Sequence, residues 1–327
     1  MAAAAEETVV PEPDLRIGVV GATGAVGRVT LELLLERGHS NIRVFASRRS
    51  AGGKLADFTV EEANDATLGA GDLDLCLFSV GTSASRELVP VAAAAGAVCI
   101  DKSSAFRLEA GIPLVVPEVN GPRAFTHAGI IANPNCCTIP LTMALAPLRD
   151  AAGLRSVRVA TYQSVSGAGA EAIEDLRGES SDDHLLRMDW EFDGTEFDEE
   201  SKIRAEARKI LELPELPISA TCVRVPVVVG HAEAIWVETE EPIPPAEAER
   251  LLAEAPGIRF ATVPAHRDAI GIDEVIVGRV RADEGAANGL ALFLVSDNLR
   301  KGAALNAIQI AESLVGSSLP SSLGARP

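Results

Sequence analysis

Short apolar runs alternate with amphipathic helical patterns through the first half of the chain. The apolar runs, which have the length of buried strands, are residues 15–20, 41–47, 73–80, 97–100 and 129–134. The helical patterns between and after them are residues 25–38, 83–95 and 135–153. This alternation predicts a parallel sheet covered on both faces by helices, the doubly wound arrangement of a Rossmann-type α/β domain.

The pattern changes after about residue 154, where longer strands of alternating polarity begin. The predicted strands are residues 156–166, 221–229, 232–240, 273–283 and 289–297. The predicted helices are residues 168–178, 199–212, 245–254 and 298–314. We therefore expect a second, α+β domain with a mixed sheet and helices on one side. The acidic, irregular residues 180–200 are predicted to form an exposed loop.

Composition narrows the range of partners. The 327 residues are 47% hydrophobic, yet no run of about 18 uncharged apolar residues predicts a membrane span. Residues 1–14 show no targeting pattern and are predicted to be a flexible leader on a cytoplasmic protein. The net charge of −18 disfavours nucleic acid and anionic lipid as partners. In so acidic a chain, a basic residue placed in a pocket therefore indicates a local site for an anionic ligand.

A glycine-rich turn follows the first predicted strand and opens the first helix. It reads VVGATGAVGRV and has the G-x-x-G-x-x-G spacing of a dinucleotide fingerprint variant. Glycines there permit a tight turn and close approach to a pyrophosphate, and the helix N-terminus favours its charge. The predicted contacts are Gly21, Ala22, Thr23, Gly24, Ala25, Val26 and Gly27.

The end of the second strand carries cations where an NAD site would carry an acid. Residues 46–54 read ASRRSAGGK, with no Asp or Glu at the strand end. Ser47, Arg49 and Ser50 suit a 2′-phosphate, which predicts NADP as cofactor, although a solvated basic loop is the alternative. Gly81 and Thr82, after the third strand, are weaker cofactor candidates.

Adjacent cysteines, Cys136 and Cys137, stand near a predicted helix N-terminus, where a thiolate is stabilised. They lack C-x-x-C spacing, and a vicinal disulfide is strained, so a redox pair is disfavoured. Zinc would need further ligands, and the remaining cysteines lie in apolar strands, so no metal site is predicted. Buried core and nucleophile remain open, and helix position does not choose between the two thiols.

Several motifs then occur together in a specific order. They are GATGAVG, ASRRSAG, SSAFR, VPEVN, NPNCCTIP, TYQSVSGAGA, EESK, RVPVVVGH and SDNLRKGAALNA. Between about residues 15 and 314 the chain resembles aspartate-semialdehyde dehydrogenase of the bacterial type. The resemblance implies NADPH-dependent reductive dephosphorylation of aspartyl phosphate through a cysteine thioester. N-acetyl-glutamyl-phosphate reductase and a non-catalytic dinucleotide-binding homologue are the alternatives.

The resemblance also implies roles for individual residues. Cys136 is the nucleophile and Cys137 its neighbour, at a position where serine or threonine is usual. His231 is the acid/base, and Gln163 orients the substrate. Substrate groups are bound by Arg224 (α-carboxylate), Glu199 (ammonium), and Lys202 and Arg107 (phosphate). Further cofactor contacts are Ser166, Gly167, Asn298 and Gly302.

From the residues alone, each assignment has an ordinary alternative. A lone histidine such as His231 is often structural, and Arg224 in an apolar strand needs an anion that an internal carboxylate would also supply. Glu199 and Lys202, three apart on a helix, share a face and would by default be a surface pair. Arg107, after a Ser-Ser turn, would by default be a solvated surface residue. Lys102 departs from the family pattern, where asparagine is common.

These patterns lead to one domain plan. An NADP-binding domain at residues 15–134, joined by the returning helix 298–314, precedes a catalytic and dimerisation domain at residues 135–297. Residues 315–327 are a tail. The resemblance implies small-molecule substrates and a homodimer or homotetramer.

Overall fold

The computed structural model describes residues 15–169, 172–173, 176 and 190–316. In this part of the chain, seven strands form one sheet in the order β3-β4-β2-β1-β5-β6-β7, parallel throughout except for the edge pair β3–β4. The strands are β1 Ile17–Val20, β2 Ile42–Ala46, β3 Lys54–Leu55, β4 Phe58–Glu62, β5 Leu75–Phe78, β6 Val98–Asp101 and β7 Ile130–Ala132. All five predicted strands are present, and the predicted parallel sheet is confirmed.

Helices cover both faces of this sheet because its central strands are apolar on both sides. Ile17 and Val19 of β1 belong to one buried cluster, and Val20 belongs to the other. The helices of this region are α1 Ala25–Glu36, α2 Asp65–Leu68, α3 Thr82–Ala94 and α4 Pro117–Asn120. The last helix of the described residues, α8 at Leu305–Gly316, packs with β1 in the first cluster. A π-type turn at Arg300–Ala304 precedes it.

The second sheet is mixed, as predicted. In the described residues it has six strands in the order β11-β12-β13-β10-β8-β9, with parallel pairs at β11–β12 and β8–β9 and antiparallel pairs between. Its strands are β8 Leu154–Gln163, β9 Ile218–Arg224, β10 His231–Thr239, β11 Ile258–Phe260, β12 Val275–Ala282 and β13 Gly289–Ser296. The helices α5 Thr138–Ala152, α6 Asp198–Leu211 and α7 Pro245–Glu254 pack on one face.

The opposite face of the second sheet carries only a short 3₁₀ helix among the described residues, His266–Ala269, which packs over one end of the face against Ala232 and Val295. Neighbouring strands present there a row of half-buried or exposed side chains. These are Arg158, Ala160, Tyr162, Ala234, Trp236 and Phe293. A sheet face with this apolar content favours contact with another protein surface.

One predicted strand is wrong in its bounds. The apolar run 221–229 predicts a single strand, but β9 ends at Arg224. Pro226 has no N–H to donate, and the Val227 N–H bonds the Val225 carbonyl at 2.8 Å in a tight turn. This turn redirects the chain toward His231.

Other segments differ in smaller ways. The predicted helix 168–178 falls largely outside the described residues, and Val165–Ala168 form a 3₁₀ turn before it. Of the predicted loop 180–200, residues 191–195 are exposed, and helix α6 begins at Asp198. Within the described ranges, no helix has the length and apolar content needed to cross a membrane.

Candidate active site

A cavity of about 560 Å³ lies where the carboxyl ends of β1, β5, β6 and β7 face the second sheet. This is the edge at which doubly wound sheets bind ligands. Most of the residues predicted from the sequence line it. They are Gly24, Ala25, Val26, Gly81, Arg107, Cys136, Gln163, Ser166, Gly167, Glu199, Lys202, Arg224, Asn298 and Gly302.

The turn that holds the paired cysteines is fixed by an asparagine. Asn135 Oδ1 accepts hydrogen bonds from the backbone N–H groups of Cys137 and Thr138, at 2.8 and 3.4 Å. The asparagine thus satisfies backbone donors at the start of α5 that would otherwise lack partners. Cys136 stands just before this helix and lines the cavity, whereas Cys137 is fully buried.

Cys136 contacts a histidine from the other sheet. Its Sγ lies 3.1 Å from Nε2 of His231, a residue 95 positions away at the start of β10. The ring is completely buried, and its Nδ1 accepts a hydrogen bond from the Ser164 N–H at 3.0 Å. Because Nδ1 accepts, Nε2 carries the proton in the neutral ring and points it at the sulfur. The fold therefore joins a thiol and an oriented imidazole.

The two adjacent thiols have opposite acidities. The pKa of Cys136 lies well below the usual value, chiefly because the Cys137 thiol donates a hydrogen bond to it, with His231 and Arg107 adding to the effect against burial. Burial, followed by the charge on Cys136, raises the pKa of Cys137 well above its usual value. Cys136 is thus the thiolate of the pair, and Cys137 is its hydrogen-bond donor.

A buried carboxylate lies beside the thiol. Glu199 Oε1 accepts from Asn135 Nδ2 at 2.8 Å and from Gln163 Nε2 at 3.1 Å. Burial and then the charge on Cys136 raise the pKa of Glu199, and these two amide donors oppose the shift. Glu199 and Gln163 therefore form one polar unit on the cavity wall.

Arg107 is buried and paired, so the solvated alternative is wrong for it. Its Nη1 donates to Glu206 at 2.9 Å, and its Nε and Nη2 donate to the carbonyls of Asn133 and Lys102. Burial alone would lower its pKa, but Glu206 raises it above the usual value. The guanidinium is thus held as a permanent cation at the cavity wall.

The two other basic residues predicted at the cavity are held differently. Arg224 is buried, donates to the Ser164 carbonyl at 2.9 Å and lies 4.6 Å above the Trp190 ring. Lys202 shares the cavity face of α6 with Glu199, as the spacing predicts, but its nearest carboxylate is Asp198 at 2.5 Å. Lys202 remains partly exposed.

The glycine turn fits a bound pyrophosphate. Gly21 has a φ of +83°, and a Cβ there would meet the Ser79 carbonyl at 2.2 Å. A Cβ at Gly27 would meet the Gly21 carbonyl at 2.1 Å, so the helix start lies directly against the turn. The N-terminus of α1 then opens into the cavity at Gly24, where no side chain makes a capping hydrogen bond.

The predicted basic loop lies only partly against a cavity. Ser47 and Arg48 line a second cavity of about 660 Å³, which shares Val80 with the first. Arg49 and Ser50 do not line it. Asp65 and Glu87 also line this second cavity, two acids that the sequence pattern did not associate with the site.

Asn298 joins the remaining predicted residues. Its Oδ1 accepts from the Gly230 N–H at 2.8 Å and from Ser164 Oγ at 3.1 Å, and its Nδ2 donates to Ser166 Oγ at 2.9 Å. Near it, a Cβ on Gly302 would meet the Cys136 Cβ at 3.2 Å. Thr82, by contrast, hydrogen-bonds Ser104 and does not line the cavity.

Sequence reasoning missed several residues of this site. Ser164 contacts the histidine, Asn135 holds the cysteine turn, Glu206 pairs with Arg107, and Lys102 lines the cavity. Asn135 carried a signal, an asparagine directly before the helix. Glu206 carried none, because its partner lies 99 residues away.

Comparison with known proteins agrees with the two domains and the cavity described above. Residues 16–127 match the family description "Semialdehyde dehydrogenase, NAD binding domain", and residues 145–190 and 188–301 match "Semialdehyde dehydrogenase, dimerisation domain". The chain is 46% identical to aspartate-semialdehyde dehydrogenase of Streptomyces akiyoshiensis, over 91% of this chain and 98% of the relative.

Solved structures give the same result. Aspartate semialdehyde dehydrogenase II of Vibrio cholerae, complexed with ASA, superposes with a TM-score of 0.87 at 40% identity, over 93% of this chain and 99% of that one. The Candida albicans enzyme with NADP gives a TM-score of 0.72 at 25% identity, over 92% and 98%. The chain therefore belongs to the aspartate-semialdehyde dehydrogenase family.

Proposed function

We propose that the protein catalyses NADPH-dependent reductive dephosphorylation of L-4-aspartyl phosphate to L-aspartate 4-semialdehyde. The observation that carries this proposal is the 3.1 Å contact between Cys136 Sγ and His231 Nε2 at a cavity lined by both anion- and ammonium-binding groups. The relatives named as this enzyme support the substrate assignment. Neither alternative drawn from the sequence has comparable support.

Substrate orientation follows from the charges on the cavity wall. Arg224 supplies a buried cation for the α-carboxylate, and a bidentate pair there fixes the plane of that group. Glu199 supplies the carboxylate for the ammonium, and the substrate's charge favours the ionised form that burial opposes. Gln163 donates to the same Glu199 oxygen as Asn135 of the thiol turn, and we assign it the role of orienting the acyl group.

The phosphate is assigned to Arg107 and Lys202. Arg107 keeps its Glu206 contact, but Nη1 and Nη2 each bear a second N–H for a phosphate oxygen. Lys202, partly exposed, can turn from Asp198 toward the phosphate and follow it as it leaves. The two cations thus differ, one fixed and one mobile.

The covalent steps use the thiolate and the imidazole. Cys136 Sγ attacks the acyl carbon, the bond to the phosphate oxygen breaks, and phosphate leaves from a thioester on Cys136. When bound, a nicotinamide dinucleotide would supply the hydride that reduces this thioester. His231 Nε2–H gives its proton to the carbonyl oxygen and takes it back as the carbon–sulfur bond breaks, which releases the aldehyde and the thiolate.

The cofactor is assigned as NADP. Gly21 to Gly27 would hold the pyrophosphate, and Ser47, Arg49 and Ser50 would hold the 2′-phosphate. Asn298, Gly302, Ser166 and Gly167 would lie beside the nicotinamide. Arg49 is exposed and can reach toward the second cavity, whereas Asp65 and Glu87 would repel a 2′-phosphate placed deep within it.

NADP specificity is tested with paired variants. Arg49→Ala should raise KM for NADPH about tenfold with little change for NADH, because it removes a charge that only the 2′-phosphate meets. Arg250→Ala, at an exposed arginine on α7 that pairs with Glu247 and Glu254, is the control. Equal use of both cofactors by the unaltered protein would refute the NADP assignment.

Assembly and domain organisation are assigned as follows. The largely uncovered face of the second sheet, centred on Trp236 and Tyr162, would pair with its counterpart in a homodimer, and a homotetramer would need a further surface. We retain the sequence-based domain limits at residues 15–134 and 135–297, and a cytoplasmic location.

The decisive assay is phosphate-dependent reduction of NADP⁺ with aspartate semialdehyde. Cys136→Ser should abolish turnover and leave dinucleotide binding unchanged, whereas Cys222→Ala, at a buried cysteine of β9, should keep turnover. Turnover by the Cys136→Ser variant would refute the nucleophile assignment. Bound dinucleotide with no turnover in the unaltered protein would favour the non-catalytic alternative.

A further inference from the structure

An uncommon helical turn lies between the cavity and the last described helix. In this π turn, Arg300–Ala304, the Gly302 N–H bonds the Asp297 carbonyl, five residues earlier, at 3.0 Å. The turn packs Gly302 so closely on the cysteine turn that a Cβ there would meet the Cys136 Cβ at 3.2 Å. Turns of this type are rare and frequently lie at functional sites. Such a conformation needs contacts that hold it against the α-helical alternative.

Lys301, inside the π turn, makes such contacts on the side away from the cavity. It is about 1% exposed and does not line the cavity. Its Nζ lies 2.8 and 2.7 Å from the two carboxylate oxygens of Glu118, 2.7 Å from Gln309 Oε1 and 3.1 Å from Asn306 Oδ1. Burial lowers the pKa of Lys301 and Glu118 opposes this shift, so the buried cation depends on that carboxylate.

Glu118 is itself fixed in place. It belongs to α4, and its side chain is about 11% exposed. A Cβ on Gly257, just before β11, would meet Glu118 Oε1 at 3.1 Å and Met143 Cε at 2.8 Å, so the carboxylate packs where the two domains meet. Gln309 Nε2 also donates to Glu118 at 3.1 Å. A displaced π turn would therefore leave Lys301 without its partner.

We propose that the Lys301–Glu118 ion pair fixes the register of the π turn, which makes Lys301 a positioning residue for the nicotinamide. A change to α-helical hydrogen bonding would shift the turn by one residue and rotate its side chains by about 100°. Lys301 would then leave Glu118, and Gly302 would leave Cys136. A buried ion pair contributes little net stability, so the role of this pair is conformational. The inference rests on the proposed placement of the nicotinamide beside Gly302 and Asn298.

Two substitutions made together remove the pair without leaving a buried charge. Lys301→Met and Glu118→Gln keep side chains of similar size, and Gln309 can still donate to the new amide oxygen. Asn306 Nδ2 still donates to Asn133 Oδ1 at 2.8 Å, so α8 stays docked on the first sheet. The double variant should therefore unfold in urea at nearly the same midpoint as the unaltered protein. Glu118→Gln alone leaves the Lys301 cation unbalanced and should lower the midpoint.

The test compares two ligands that differ in the nicotinamide. NADP⁺ and adenosine 2′,5′-bisphosphate, which lacks the nicotinamide, are titrated into the full chain by calorimetry. The double variant should bind NADP⁺ about tenfold more weakly, the equivalent of about one hydrogen bond, and bind the bisphosphate unchanged. The control is Arg37→Gln with Glu312→Gln, which removes a partly exposed pair between α1 and α8 at 2.8 Å and should leave both affinities unchanged.

Alkylation of Cys136 by iodoacetamide gives a readout that does not depend on turnover. Saturating NADP⁺ should shield Cys136 in the unaltered protein and shield it less completely in the double variant. Without dinucleotide, the pH dependence of alkylation should be the same in both proteins, because Cys137, His231 and Arg107 are the neighbours that lower the pKa of Cys136. A shifted pH dependence would contradict an effect confined to the nicotinamide.

The outcomes separate this inference from the proposed function. Equal NADP⁺ affinity in the double variant and the unaltered protein would overturn the inference, as would a parallel loss of affinity for both ligands, which indicates a general structural role. If the unaltered protein bound NAD⁺ in place of NADP⁺, the NADP assignment would fail, and NAD⁺ with AMP would give the same comparison. Selective loss of NADP⁺ affinity in a protein without turnover would refute the proposed catalysis and keep the positioning role.

Discussion

Glu206 offers a sharp test of how the site is built. Its side chain is about 1% exposed and accepts from Arg107 Nη1 at 2.9 Å and from the Asn135 N–H at 2.7 Å. Glu206→Gln keeps the shape but offers one acceptor to two donors, and it removes the charge that balances Arg107. Breaking a buried ion pair from one side costs about 3 to 5 kcal/mol. We expect unfolding to be easier by that amount.

The assay is urea unfolding at pH 7, followed by tryptophan fluorescence and circular dichroism at one protein concentration. Glu212→Gln is the matched control, because Glu212 pairs with Arg123 on the surface, where screening leaves no measurable change in midpoint. A Glu206→Gln midpoint equal to that of the control would refute the reasoning. The variant should also lose activity, because Asn135 holds the turn that carries Cys136.

Three further predictions concern the chemistry of the cavity. Cys137→Ala should shift the pH dependence of Cys136 alkylation to higher pH, because it removes the donor that lowers the pKa of Cys136; Cys137→Ser should shift it less. Burial lowers the pKa of Lys102 to about 7, so the side chain is charged below pH 7. Phosphate should therefore bind more tightly at pH 6 than at pH 8 in equilibrium binding measurements, and Lys102→Met should remove this difference. Ser164→Ala removes a hydroxyl 3.1 Å from His231 Nδ1 and should lower kcat roughly fivefold with KM nearly unchanged in steady-state kinetics.

The sequence predicted the buried strands of the fold well and the polar edge poorly. Strand β5 is buried on both faces, so its apolar run is evident. Strands β3 and β4 were missed because they are the outer two strands at one end of the sheet and have only one buried position each over a few residues. Pro226 explains why the prediction for β9 was too long. Its missing N–H prevents hydrogen bonding to a neighbouring strand, whereas the prediction relied on the apolar pattern, which a proline does not interrupt.

The sequence predicted which residues belong to the site better than it predicted which residues they contact. The spacing of Glu199 and Lys202 placed both on the cavity face of one helix. It did not reveal that Lys202 pairs with Asp198, or that Arg107 is held by a carboxylate 99 residues away. Local spacing determines which side chains share a face, whereas tertiary packing determines which charges meet.

Cys137 shows how a buried neighbour can activate a nucleophile. Its thiol lies close enough to Cys136 to donate a hydrogen bond, and this donation lowers the pKa of Cys136 although burial opposes the thiolate. Burial and the charge on Cys136 raise the pKa of Cys137, so the pair holds its negative charge on the sulfur that lines the cavity. The buried thiol therefore stays protonated and keeps its donor for the thiol at the cavity.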